Sequence, residues 1–198
     1  VAGSIGLGKV FSDGADIYGL EGRPAEKGRT VLVNYTTEGN PQDVTPPPYN
    51  VRTRVHEYGG GACLVKDGTV YFSNFADQRL YKQEINQTPQ PLTPESSRRY
   101  ADATLDKKYN RLICVCENHD PSFSEPENTL VTVDLDTGEV KTLVSGADFY
   151  LSPRLSPDGT QLAWLSWNHP NMPWDGTELW LGQVNPDGSL SEVKSLAG

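Results

Sequence analysis

No window of helical length in the 198-residue chain places apolar residues three and four apart between capping residues. Short runs rich in β-branched and aromatic residues recur instead, each bounded by clusters of Gly, Pro, Asn and Asp. The pattern predicts an all-β protein. A period of roughly fifty residues overlies it: similar segments close a unit at Asp43-Val44-Thr45, Pro91-Leu92-Thr93, Lys141-Thr142-Leu143 and Lys194-Ser195-Leu196.

Each unit carries three turn signals, as joining four antiparallel strands by three hairpins requires. The first is Asp13-Gly14, Asp67-Gly68 and Asp158-Gly159, with a degraded form at Asp106-Lys107-Lys108. Glycine is informative there because a tight or bulged hairpin puts a residue at positive φ. The second signal is longer: Gly22 to Gly28, Phe75 to Arg79, Asn118 to Asn128 and Asn168 to Gly176. The third is Glu38-Gly39-Asn40, Asn86 to Gln90, Asp136-Thr137-Gly138 and Pro186-Asp187-Gly188. These signals predict a β-propeller of about four four-stranded antiparallel blades over 1–198, at approximately 1–48, 49–94, 95–146 and 147–198. Gly3-Ser4-Ile5-Gly6-Leu7-Gly8 lacks the Lys-Ser/Thr ending of a phosphate loop and reads as an inner strand whose glycines permit close approach.

A hydrophobic fraction of 36% suits a packed core. The net charge of -9, with no basic stripe, argues against nucleic acid and anionic membrane as partners. No apolar run approaches a membrane span, and Val1-Ala2-Gly3-Ser4 lacks the layout of a signal peptide, so a cytoplasmic protein is expected. Cys63, Cys114 and Cys116 are odd in number and unpaired in spacing, so they read as buried hydrophobes. The three histidines, His56, His119 and His169, are too far apart for a metal set. No metal and no cofactor is expected.

Three strings are more specific than any turn. They are Asn50-Val51-Arg52-Thr53-Arg54-Val55-His56-Glu57-Tyr58-Gly59-Gly60-Gly61, the run Val70 to Tyr81, and Trp164 to Trp180 with Trp167-Asn168-His169-Pro170 inside it. Together with Gly146-Ala147-Asp148-Phe149-Tyr150, the chain resembles the propeller of the acylaminoacyl-peptidase and dipeptidyl-aminopeptidase branch of the prolyl oligopeptidase family. The resemblance implies a parent with about seven blades and a following α/β-hydrolase domain bearing a Ser, Asp, His triad. The nucleophile elbow of such a domain needs Gly-x-Ser-x-Gly on a strand-to-helix turn, and no such string occurs here. The expectation is a part of a larger propeller, without catalytic residues, that filters oligopeptide substrates and partners the hydrolase domain of the same parent chain. The competing reading is a non-catalytic propeller that scaffolds protein partners, as WD-repeat modules do. Oligomeric state is not legible.

His56 and Glu57 sit beside a triple glycine in the connection from the outer strand of one unit to the inner strand of the next, where propeller loops line the central opening, and Arg52, Arg54 and Tyr58 are substrate-contact candidates with them. Glu57 would offer negative charge to a peptide N-terminus, and Arg52 or Arg54 would pair with a carboxylate. Alternatively, Arg54, His56 and Glu57 bond to one another and fix the junction between blades. The loop carrying Trp167, His169, Trp174 and Asp175 is a rigid contact with the hydrolase domain, a lip over the active-site cavity, or a segment packed on its own blade.

Overall fold

The computed structural model describes residues 3–36 and 40–198. It divides into two compact units, Val1–Glu95 and Ser96–Gly198, each holding two four-stranded antiparallel sheets in simple up-and-down order. In the first unit one sheet is built from β1 (Gly6–Asp13), β2 (Asp16–Arg23), β3 (Arg29–Asn34) and β4 (Gln42–Asp43). The other is built from β5 (Cys63–Lys66), β6 (Thr69–Ser73), β7 (Leu80–Glu84) and β8 (Gln90–Pro91). The second unit holds β9 (Arg98–Asp106), β10 (Arg111–Asn118), β11 (Glu127–Asp134) and β12 (Val140–Val144). Its other sheet is β13 (Phe149–Leu155), β14 (Gln161–Trp167), β15 (Glu178–Val184) and β16 (Leu190–Ala197).

The predicted turns fall between these strands. Asp67-Gly68 joins β5 to β6 with both residues at positive φ, the geometry of a primed hairpin turn. Where glycine is missing after Asp106, a 3₁₀ turn at Lys107–Tyr109 substitutes and Asn110 takes the left-handed conformation at φ 49°. Of the turn Glu38-Gly39-Asn40, Glu38 and Gly39 lie outside the described residues.

The end-of-unit repeat has an atomic basis in the first unit. Thr45 and Thr93 are almost fully buried, and their hydroxyls accept hydrogen bonds from the Leu32 amide (2.9 Å) and the Leu80 amide (3.1 Å). An arginine clasps each threonine from the start of the third strand or just before it: Arg29 donates to the Thr45 carbonyl at 3.2 Å and Arg79 to the Thr93 carbonyl at 2.7 Å. Side-chain oxygens thus replace ladder partners where the outermost strands β4 and β8 run to only two residues.

Cores form where neighbouring sheets face each other within a unit. Tyr18, Leu32, Val51, Cys63, Val65, Val70, Phe72 and Tyr81 make one cluster in the first unit. Every residue of β6, a central strand of its sheet, is buried. The second unit buries Tyr100, Leu112, Ile113, Leu130, Tyr150, Leu162 and Trp164. The first strands β1, β9 and β13 each bulge opposite the middle of the second strand, so that two residues oppose Leu20, Cys114 and Trp164 respectively.

Candidate functional site

The connector between the two sheets of the first unit carries the residues singled out by sequence. From Val51 to Val55 it is extended and alternates: Val51, Thr53 and Val55 are buried, while Arg52 and Arg54 face solvent. Backbone bonds tie it down on both sides. The Val51 amide donates to the Thr30 carbonyl at 2.9 Å, the Arg52 amide to the Ser73 carbonyl at 3.1 Å, and the Phe75 amide to the Asn50 carbonyl at 2.9 Å. The Arg54 amide donates to the Gln78 side-chain oxygen at 2.8 Å, and the Gln78 amide nitrogen in turn donates to the Phe75 carbonyl at 2.8 Å.

This anchoring brings the two arginines to one aromatic ring. The guanidinium carbons of Arg52 and Arg54 each lie 4.5 Å from the centroid of Phe75, within cation–π range. Downstream the chain turns sharply: the Glu57 amide donates to the Arg54 carbonyl and the Gly59 amide to the Val55 carbonyl. His56 and Glu57 sit consecutively in the left-handed region at φ 55° and 63°, uncommon for residues with a side chain. At Gly59, φ is 87° and a Cβ would fall 3.1 Å from the Thr53 carbonyl oxygen, so glycine is required there.

A cleft of about 530 Å³ opens beside the connector. One wall is Arg52, Thr53, Tyr58, Gly59 and Gly60; the other is Gly6, Leu7 and Gly8 of β1 with Gly22 of β2. The structure therefore brings Arg52 and Tyr58 into a concave site and leaves Arg54, His56 and Glu57 outside its lining. The His56 and Tyr58 rings stand 5.7 Å apart, and Tyr58 is 68% exposed. The contribution of β1 was not among the candidates. Its signal was the alternation of Gly6 and Gly8, which strips side chains from one face of a strand. At Gly8 a Cβ would fall 3.2 Å from that of Leu20.

In the second unit the aromatic loop separates into inner and outer parts. Trp167 is 3% exposed and stacks on Phe149 (5.2 Å, 14°), so it is a core residue rather than the edge of a loop. The His169 ring meets Phe149 edge-on at 5.0 Å, and the His169 amide donates to an Asp148 carboxylate oxygen at 2.9 Å. Asp175 accepts a hydrogen bond from the Met172 amide at 3.2 Å and so caps its own turn. Trp174 stays 76% exposed.

Among the described residues no three His, Cys, Asp or Glu side chains come together as a metal set. His119 Nε2 lies 2.7 Å from a Glu117 carboxylate oxygen that also faces Arg99 at 3.4 Å. All three thiols are buried and unpaired, and burial pushes those of Cys63 and Cys116 up to about 12, which leaves them neutral and unreactive at physiological pH.

No protein-family model and no curated protein sequence matches the chain. Solved structures do. A puromycin-hydrolyzing peptidase of Mycobacterium tuberculosis is 37% identical at a TM-score of 0.88, across 96% of this chain and 32% of that one. The chain is a propeller segment of the prolyl oligopeptidase family. A puromycin hydrolase is 34% identical at a TM-score of 0.87, and a mutant of puromycin hydrolase complexed with PGG is 35% identical at 0.87, both with the same coverage. This prolyl oligopeptidase segment thus spans about a third of the length of the solved relatives it matches, and its four sheets are blades within a larger propeller. No helix among its described residues is long and apolar enough to cross a membrane.

Proposed function

We propose that these blades gate substrate entry to a serine peptidase acting on oligopeptides, in the acylaminoacyl-peptidase and dipeptidyl-aminopeptidase branch, and that they are inactive by themselves. The observation that carries the proposal is the 37% identity over 96% of the chain to a puromycin-hydrolyzing peptidase. The gating role is steric: a ring of about seven blades above the active site admits an extended peptide and turns away a folded domain. One partial propeller domain over 1–198, with blades at approximately 1–48, 49–94, 95–146 and 147–198, is part of the same reading. So is a cytoplasmic location, which three buried unpaired thiols support.

Within this reading Arg52 is the first candidate for contact with a peptide carboxylate. It lines the cleft, Phe75 steadies it, and no carboxylate among the described residues pairs with it. Tyr58 supplies an exposed aromatic surface beside it, and the exposed Glu57, next to Tyr58 in the chain and outside the cleft lining, is the candidate partner of the peptide N-terminus. Trp174 is the residue of its loop best placed to meet the hydrolase domain, because it alone keeps a large apolar surface exposed among Trp167, His169, Trp174 and Asp175. The test is Glu57→Gln in the full-length protein. A charge-assisted bond to an ammonium group corresponds to roughly a tenfold to hundredfold rise in KM for free-amine peptides, with N-acetylated peptides unaffected. Unchanged turnover of free-amine peptides removes Glu57 from the site.

A further inference from the structure

A second cleft, of about 240 Å³, lies within the second unit on the face that β14, β15 and β16 turn toward the end of β12. Its base is aromatic. Trp164 and Trp180 are cross-strand partners with parallel rings 6.5 Å apart, and Tyr150 is held in place by the Ala147 amide, which donates to its hydroxyl oxygen at 2.9 Å. Gly182 makes room for this arrangement: a Cβ there would meet Val193 at 3.2 Å and the Trp164 ring at 3.5 Å.

Asn168 is already spent on the Asp148 amide at 2.8 Å, and three other polar groups of the cleft are not. Trp180 Nε1 is buried and has no hydrogen-bond partner among the described residues. A buried donor in that state costs stability unless an acceptor completes it. The Ser166 side chain, 3% exposed, lines the same space and bonds to no other described residue. Glu178 follows at the half-buried rim, and no cation among the described residues pairs with its carboxylate.

We infer that this cleft is a docking site for an arginine side chain presented by an extended peptide segment of a partner protein. Three features of the cleft select that occupant. The volume falls below the roughly 300–1,000 Å³ of sites for drug-sized ligands, so it suits one side chain. Parallel indole faces attract a planar guanidinium, and a carboxylate two residues from Trp180 offers it a two-pronged partner. A cleft of that size takes the guanidinium and its stem and leaves the peptide backbone outside, and the Ser166 hydroxyl oxygen is in place to accept from the guanidinium. A net charge of -9 draws a basic segment toward the surface and repels an acidic one.

The probe is the blocked tripeptide acetyl-Gly-Arg-Gly-amide, titrated calorimetrically into the chain beside its citrulline counterpart, which keeps the shape and loses the charge. The arginine peptide is expected to bind about tenfold more tightly or better, a difference that Glu178→Gln abolishes while circular dichroism stays unchanged. Trp180→Phe, which keeps an aromatic ring with a weaker cation–π face, weakens the arginine peptide several-fold. Equal affinities of the two peptides for the unaltered chain overturn the assignment, as does the absence of any binding by the arginine peptide. A Glu178→Gln chain that still prefers arginine overturns it too.

Discussion

A single carboxylate organises the turn between β13 and β14. One oxygen of Asp158 accepts hydrogen bonds from the Ser156 hydroxyl (2.6 Å), the Thr160 hydroxyl (2.9 Å) and the Thr160 amide (3.1 Å). These bonds favour the ionised form and hold the carboxyl down at about 2. Because the folded value lies below the unfolded one, the stabilisation is complete above the ordinary carboxylate range and disappears as pH falls from about 4 through about 2. Asp158→Ala is therefore expected to lower the melting temperature at pH 6, with the gap to the parent chain closing by about pH 2. A gap of constant size across that range rejects the ionised carboxylate as the cause. Residues of this kind were legible: Ser156-Pro157-Asp158-Gly159 states its turn in four letters, because the hydroxyl, carboxylate and glycine each have one local use. Trp167 was not legible. Its place in the core is decided by Phe149, far away in sequence, and nothing in its own loop separates it from the exposed Trp174.

At the scale of elements, the β9–β10 sheet and the β15–β16 turn are joined by one charged clasp. Arg111 pairs with Asp106 at 2.9 Å, donates to the Gly188 carbonyl at 2.8 Å, and lies over the Tyr109 ring, while the Tyr109 hydroxyl donates to the Asn185 carbonyl at 2.7 Å. The Asp106 side chain is 1% exposed, so removing its partner strands a charge out of water. Arg111→Met should cost about 3–5 kcal/mol in urea unfolding, and Arg111→Met combined with Asp106→Leu should recover much of that loss. A double variant as unstable as the single one shows that the clasp acts through Gly188 and Tyr109 instead. The number and order of strands could be read from sequence because each hairpin has its own punctuation. The bulges of β1, β9 and β13 could not. Each is defined by the strand opposite, and only the positive φ of Asp102 and Ser152 marks the place in β9 and β13. The cleft wall supplied by Gly6 and Gly8 was half legible: the glycines announced a close approach, and the connector that approaches lies some fifty residues on.

For the whole molecule the proposal divides labour between a ring that selects and a separate domain that cuts. Acyl transfer needs a nucleophile, a base and preorganised donors at the oxyanion, and positioning groups alone leave the chemical barrier standing. The 198 residues contain no Gly-x-Ser-x-Gly string, and the thiols that could substitute are buried and neutral. The purified chain is therefore expected to leave peptide and aminoacyl substrates intact. Full-length protein under the same conditions is expected to cleave oligopeptides and to spare the same sequences within a folded domain. Hydrolysis by the chain alone that is titrated away by a serine-directed covalent inhibitor contradicts the division. Cleavage of folded and unfolded substrates at equal rates by the full-length protein contradicts gating while leaving the peptidase assignment standing. The two measurements thus fail separately, and together they locate which half of the proposal is wrong.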